Sequence, residues 1–274
     1  MKKRIGKRSA VPDGAAGWDD YAAFYDWENA QTVGRRDIPF WQSLAGRTRG
    51  KILELGAGTG RLTVPLTRIA GRRVIGIDRS APMLARAVAK LRRKKPGARP
   101  AAHKSRLILG DIRELPFANG SFKLVIAPYG MLQSLTRERD LTRALAEAAR
   151  VLAPRGVLGV DLVPDLPAWD EYRRSVRFRG RMGAASIRLI ESVRQDRKKG
   201  LTIFDQEFIE TRKGERPASR RFSLAFRTLP VGRVVQRLEK AGFDVEHILG
   251  DYRGGKWDER ADVWLLLARR RTPD

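Results

Sequence analysis

The sequence predicts an α/β protein, with a doubly wound seven-stranded mostly parallel sheet and an antiparallel β insertion between strands five and six. Three observations predict it. Short apolar runs alternate with amphipathic helical segments up to residue 164, the pattern of a parallel sheet covered by helices. The first run, Ile52–Leu55, leads straight into a glycine-rich loop, Gly56-Ala57-Gly58-Thr59-Gly60. Four segments of apolar/polar alternation then follow one another between residues 175 and 229.

Residues 1–14 read as a disordered basic tail, rich in Lys and Arg and poor in apolar side chains. Trp18, Tyr21, Phe24, Tyr25 and Trp27 fit one face of a short helix plus a turn, and residues 38–44 a further helix. Strand one carries Glu54 and ends at the glycines, which let the chain turn close beneath a bound ligand. A dinucleotide fingerprint requires its third glycine one residue later, where this chain has Arg61. Strand two, 73–77, ends at Asp78, a carboxylate placed to accept ribose hydroxyls. Ser80 caps the next helix, which has Pro82 in its first turn and Met83, Leu84, Ala87, Val88 and Leu91 on one face. Strand three, 106–109, ends in Gly110-Asp111-Ile112, and strand four, 122–127, opens onto Pro128-Tyr129-Gly130. A helix over 141–152 stops at Ala153-Pro154-Arg155-Gly156, and strand five covers 157–163.

The alternating segments at 175–181, 186–194, 201–211 and 219–229 form an antiparallel meander. A helix over 232–241 capped by Gly242 precedes strands at 244–249 and 262–268, joined by a loop over 250–261. The expected organisation is the tail, lid helices with the cofactor half over 15–164, the insertion over 165–229, and a closing part over 230–274. Parallel strands share one rim at their C-terminal tips, and ligands bind outside it. That gathers Glu54, Gly56, Asp78, Asp111, Pro128, Tyr129, Asp161 and Asp251, with Tyr252 and Trp257 on the last loop.

The glycine loop preceded by Glu54, the acidic tips Asp78 and Asp111, and the closing helix–Ala-Gly-Phe–hairpin resemble the class I S-adenosylmethionine-dependent methyltransferases. The small-molecule members, including amino-sugar N-methyltransferases, are the most similar type. The resemblance implies S-adenosylmethionine as cofactor, held by Glu54, Gly56, Ala57, Gly58, Gly60, Asp78, Arg79, Met83, Asp111, Ile112 and Pro128. It sets Met83 against the adenine ring, although core packing explains that side chain equally well. Asp111 takes the adenine amino group. Tyr25, on a lid helix, faces the methyl group and with Tyr129 is the catalytic candidate. Asp161, Asp251, Tyr252 and Trp257 are expected around the acceptor. The implied reaction is methyl transfer to an amine or hydroxyl of a small molecule. Methylation of RNA or a ribosomal component, or a non-catalytic cofactor-binding protein, are the alternatives.

Composition narrows the classes. The chain has 274 residues, no cysteine and two histidines, so disulfide and thiolate chemistry are excluded and no metal site is expected. No apolar run is long enough to span a bilayer, and the N-terminus lacks a signal-peptide core, so a cytoplasmic location is expected. His103 precedes strand three and His247 lies within strand six, so neither is an obvious base. Asp161, Asp251 and Tyr129 are the candidates if a base is used. The net charge of +25 reads either as a generally basic surface or as a polyanion-binding face. Between residues 51 and 150, where most of the basic excess falls, only residues 92–95 form a basic run. Expected partners are a small-molecule acceptor, polyanions bound non-specifically, and a second copy joined through the insertion. The run Ala127-Pro128-Tyr129 lacks the amide or carboxylate that begins the corresponding loop of nucleobase-amine methyltransferases.

Overall fold

The computed structural model describes residues 16–32, 35–92, 106–163, 170–261 and 263–272. The expected tail at 1–14, His103, the basic run beyond Arg92 and Asp262 lie outside them.

Seven strands form one sheet: β1 (Ile52–Leu55), β2 (Val74–Asp78), β3 (Arg106–Leu109), β4 (Phe122–Ala127), β5 (Leu152–Leu162), β10 (Phe243–Leu249) and β11 (Trp264–Arg270). Their order is β10-β11-β5-β4-β1-β2-β3. β1 pairs in parallel with both β2 and β4, and only β11 runs against its neighbours. The chain therefore winds outward from β1 to β3, returns to β4 and winds the other way. The switch point between β1 and β4 leaves a crevice at the C-terminal rim.

Side-chain alternation divides the core. Leu53 and Leu55 face one cluster with Leu141, Leu145 and Ala148 of α6 (Glu138–Val151) and Val234 and Leu238 of α7 (Val231–Lys240). Ile52 faces the other side, against Trp41 and Ala45 of α3 (Ile38–Arg47) and Leu66 and Ala70 of α4 (Thr63–Ala70). Both faces are buried, so the strands read as continuous apolar runs.

α6 extends beyond the predicted start, and β5 begins at Leu152 without the expected break. β5 keeps Leu152 opposite Phe122, then resumes with Val157 opposite Leu124, so residues 153–156 loop out of register. Arg155 turns this bulge at φ 59°. The N-terminal aromatics form two helices, α1 (Trp18–Tyr21) and α2 (Tyr25–Asn29). Ser80 caps α5 (Ala81–Arg92) as expected, its Oγ accepting the Met83 N–H at 3.3 Å.

The insertion forms a separate antiparallel sheet of β6 (Tyr172–Met182), β7 (Ala185–Asp196), β8 (Leu201–Thr211) and β9 (Ala218–Arg227), in that order. Its inner face buries Ile187, Leu189, Phe208 and Leu224 against Tyr21, Phe24 and Met83. Phe24 stacks on Phe208 with ring centroids 4.1 Å apart. The meander thereby seats α1 and α2 over the rim of the main sheet.

Candidate active site

The loop after β1 is turned by its own backbone. The Ala57 N–H donates to the Ile77 carbonyl at 3.0 Å, and the Gly60 N–H to the Ala57 carbonyl at 2.8 Å. Gly58 and Gly60 serve different ends. Gly58 lies at φ 52°, and a Cβ there would meet nothing nearer than 3.9 Å, standing in the open cleft. At Gly60, φ 74°, a Cβ would come within 3.0 Å of the Ala87 Cβ on α5. Gly60 thus lets a helix close on the loop, and it is not among the residues that border the cleft.

Carboxylates mark one side of the cleft. Asp78 accepts the N–H groups of Gly58 and Ser80, each at 2.8 Å, while burial raises its pKa. Glu54 is buried with Thr63 Oγ1 donating to it at 2.5 Å, and burial pushes its pKa up to about 8. Asp111 is gripped by Arg113, whose terminal nitrogen donates to it at 2.6 Å and whose Nε donates at 3.0 Å. This grip holds Asp111 below its ordinary pKa. Arg113 also reaches Asp140 at 3.1 Å. Met83 and Ile112 line the space between these groups.

The other end is aromatic. Arg61 donates through both terminal nitrogens to Asp37, at 2.7 Å each, and its guanidinium carbon lies 5.1 Å from the Tyr129 ring centroid. Tyr129 has φ 59°, a left-handed conformation uncommon for a residue with a side chain. Tyr25 is beside them; burial raises its hydroxyl pKa and Arg61 opposes the shift. Trp18 lies 6.4 Å from Tyr25 and 6.0 Å from Phe226 of β9, between ring centroids. These cleft-facing residues border one open space.

Gln133 fastens the insertion to this wall. Its Nε2 donates to the Val163 and Arg227 carbonyls at 3.1 Å each, and its Oε1 accepts the Val163 N–H at 2.8 Å. One buried amide thus holds the strand end before the insertion and the strand end that closes it.

Residues 52–156 match the methyltransferase-domain family. Demethylmenaquinone methyltransferase of Thermus thermophilus is 38% identical over 118 residues, 43% of this chain and 49% of that protein. The chain spans about half the length of the first such curated relatives. Residues 52–156 are thus a methyltransferase domain, and the chain shares its fold with an S-adenosylmethionine-dependent methyltransferase of Clostridium acetobutylicum, with a TM-score of 0.72 at 17% identity. Over greater length it is similar to the 27-O-demethylrifamycin SV methyltransferase of Amycolatopsis mediterranei, at 28% identity over 268 residues, 94% of this chain and 88% of that one. Its fold is shared with a sugar N-methyltransferase from Streptoalloteichus, with a TM-score of 0.73 at 17% identity, covering 99% of this chain and 100% of that one.

The methyltransferase cleft fits the family's cofactor by its chemistry. Asp78 would accept the ribose hydroxyls and Asp111 the adenine amino group, with Met83 and Ile112 as apolar walls. Gly56, Ala57, Gly58, Arg79 and Pro128 also line the space, as do Glu54, Tyr25 and Tyr129. The open volume beside Gly58 is where a side chain would intrude. When bound, S-adenosylmethionine supplies a methyl group on a positively charged sulfur, ready for in-line displacement.

Four expected acceptor residues do not line this cleft. Asp161 is buried, accepting the Gly130 N–H at 3.0 Å and the Tyr252 hydroxyl at 2.7 Å. This pair ties the loop after β4 to the loop at 250–261. Asp251 accepts the N–H groups of Arg253 and Gly255, each at 2.8 Å, within its own turn. Trp257 packs edge-on against Trp264, their centroids 6.5 Å apart. The physical reason is that this loop folds back on itself: Gly250 N–H donates to the Gly255 carbonyl at 3.0 Å, and Leu249 bridges to Lys256.

Sequence reasoning missed Arg61, Arg113, Trp18 and Phe226 as cleft residues, along with Leu62, Met131, Ser134, Leu135 and Asp140. Arg61 stood out only as a departure from a dinucleotide fingerprint. Phe226 was legible as one apolar position in an alternating strand, with no local sign of which position would reach the cleft.

Proposed function

We propose that this protein transfers the methyl group of S-adenosylmethionine to an amine or hydroxyl of a small molecule. One observation carries the reading: the aromatic end of the cleft is roofed by α1 and by Phe226 of the insertion, so Trp18, Tyr25, Tyr129 and Phe226 border the same space as the cofactor candidates. Ligand pockets of this type are apolar with a few placed polar groups. The rifamycin and sugar methyltransferases, similar over most of the chain, are named for small-molecule acceptors and support the same class. The demethylmenaquinone enzymes match shorter segments, between 42% and 60% of this chain. Tyr25 and Tyr129 line up acceptor and methyl group, since alignment is the main contribution such a displacement needs.

A cytoplasmic location and pairing of two copies through the insertion belong to the same proposal. No helix of the described residues is long and apolar enough to cross a membrane. RNA binding, driven by the net charge of +25, is proposed as non-specific and salt-sensitive. The test is methyl-labelled S-adenosylmethionine incubated with the protein and either a metabolite extract or total RNA at near-physiological salt. Label in a small molecule is expected; position-specific, stoichiometric label in RNA would overturn the reading.

A further inference from the structure

We propose that Lys90 is a positioning residue for methyl transfer: through Thr59 and Asp26 it clasps the helix that carries Tyr25 to the turn beneath the cofactor. This rests on the methyltransferase reading and adds to it a residue from outside the cleft.

Three side chains from distant parts of the chain meet at one point. Lys90, in the last turn of α5, donates to Asp26 Oδ1 at 2.6 Å and to Thr59 Oγ1 at 2.9 Å. The Thr59 hydroxyl donates in turn to the same Asp26 oxygen at 2.6 Å. A hydroxyl is needed there, because it accepts from the ammonium and donates to the carboxylate at once. Thr59 is buried between Gly58, which borders the cleft, and Gly60, which packs on α5. Asp26 directly follows Tyr25 on α2.

α2 has five residues, too few to hold its place unaided. Its two acids fasten it on different sides. Glu28 accepts the Tyr21 hydroxyl at 2.8 Å and the Gln206 amide at 3.2 Å, which ties α2 to α1 and to β8 of the insertion. Asp26 ties it to the glycine loop and to α5. Tyr25 is seated by both attachments.

Lys90, Thr59 and Asp26 do not border the cleft, so any effect of Lys90 on the cofactor passes through the loop and the lid. The Lys90 and Asp26 side chains are 31% and 37% exposed. An ion pair that open adds little to folding stability. What it fixes is the distance between lid and loop, and a closed lid holds a bound cofactor longer.

The test follows S-adenosylmethionine leaving the full chain by stopped-flow tryptophan fluorescence, with Trp18 on α1 and Trp27 on α2. No acceptor is needed. Lys90→Met keeps most of the stem and removes the charge. Its dissociation rate should rise about fivefold with the melting temperature nearly unchanged. Amide exchange over residues 25–29 of the loaded protein should rise with it. Thr59→Val should act the same way, and the double variant no further, because both changes open one linkage. Lys90→Arg, which keeps charge and reach, should restore the slow rate. An unchanged rate in Lys90→Met, or effects of the two variants that multiply, overturns the clasp. So does a lowered melting temperature with no change in rate, which is what packing alone would give. If the unaltered chain binds no S-adenosylmethionine, the methyltransferase reading beneath it fails instead.

Discussion

Arg61 and Asp37 form a two-pronged ion pair, 2.7 Å through each terminal nitrogen, with the Asp37 side chain wholly buried. Asp37 stands at the N-terminal end of α3 and Arg61 immediately follows the glycine loop. The pair therefore fixes an N-terminal helix against the cofactor loop and aims the guanidinium at Tyr129. Removing one partner strands a buried charge. Arg61→Ala should cost about 3–5 kcal/mol in denaturant unfolding. The double variant Arg61→Ala/Asp37→Ala should recover part of that loss, since neither charge is then unpaired. Equal stability of the single variant and the original chain would mean that the pair contributes nothing.

The cofactor loop separates binding from folding. Asp78→Ala should weaken S-adenosylmethionine binding by about 1–3 kcal/mol, the worth of a charged hydrogen-bond acceptor. Gly58→Val should abolish binding, because the side chain enters the cleft. Gly60→Val should instead damage the fold, since its Cβ meets α5. Calorimetric titration paired with thermal melts distinguishes the two glycines; the opposite pattern would refute the assignment.

Gln133→Leu removes the three bonds that hold Val163 and Arg227. Buried backbone groups left unpaired cost about 1–3 kcal/mol. Beyond lost stability, amide hydrogen exchange should rise at residues 222–227 of β9 more than in β1 and β4. Uniform exchange across both sheets would show that Gln133 does not anchor the insertion.

Three buried carboxyls set a pH dependence. Burial raises Glu54 to about 8, Glu28 to about 7 and Asp161 to about 6. Their unfolded values lie near 4. Each therefore holds a proton in the fold that it has lost in the unfolded chain, so its contribution is complete below pH ~4 and is lost as pH rises through the folded value. Stability should fall between pH 5 and pH 8. Glu28→Gln should flatten that slope below pH 7, by about 1–3 kcal/mol, and leave the part above it to Glu54. The acids held low act elsewhere: Arg237 and Arg227 hold Glu138 near 2, so its contribution is lost only in strong acid. Urea melts across the range check the sign; a rise in stability from pH 5 to pH 8 would refute it.

The cofactor half was legible because its signals are local. Gly58 and Gly60 occupy a turn with positive φ, and Asp78 and Asp111 sit at strand tips that a parallel sheet must bring to one rim. The meander was equally legible, because alternation in four consecutive segments fixes an antiparallel sheet. The acceptor side was less so. Asp161 and Asp251 also stand at strand ends on that rim, yet neither lines the cleft. One is consumed by Tyr252, and the other by its own turn.

The sequence by itself determined the succession of strands along the chain, the glycine turn after β1 and the acidic strand tips beside it, since periodicity, glycine and strand ends act over a few residues. Only the tertiary structure decided that Arg61 pairs with Asp37, that Gln133 clasps Arg227 from 94 positions away, and that Phe226 enters the cleft. Those choices depend on which distant side chains the packed sheets bring within reach of one another. No local pattern records that, because one alternating strand offers several equivalent positions until its partner surface selects among them.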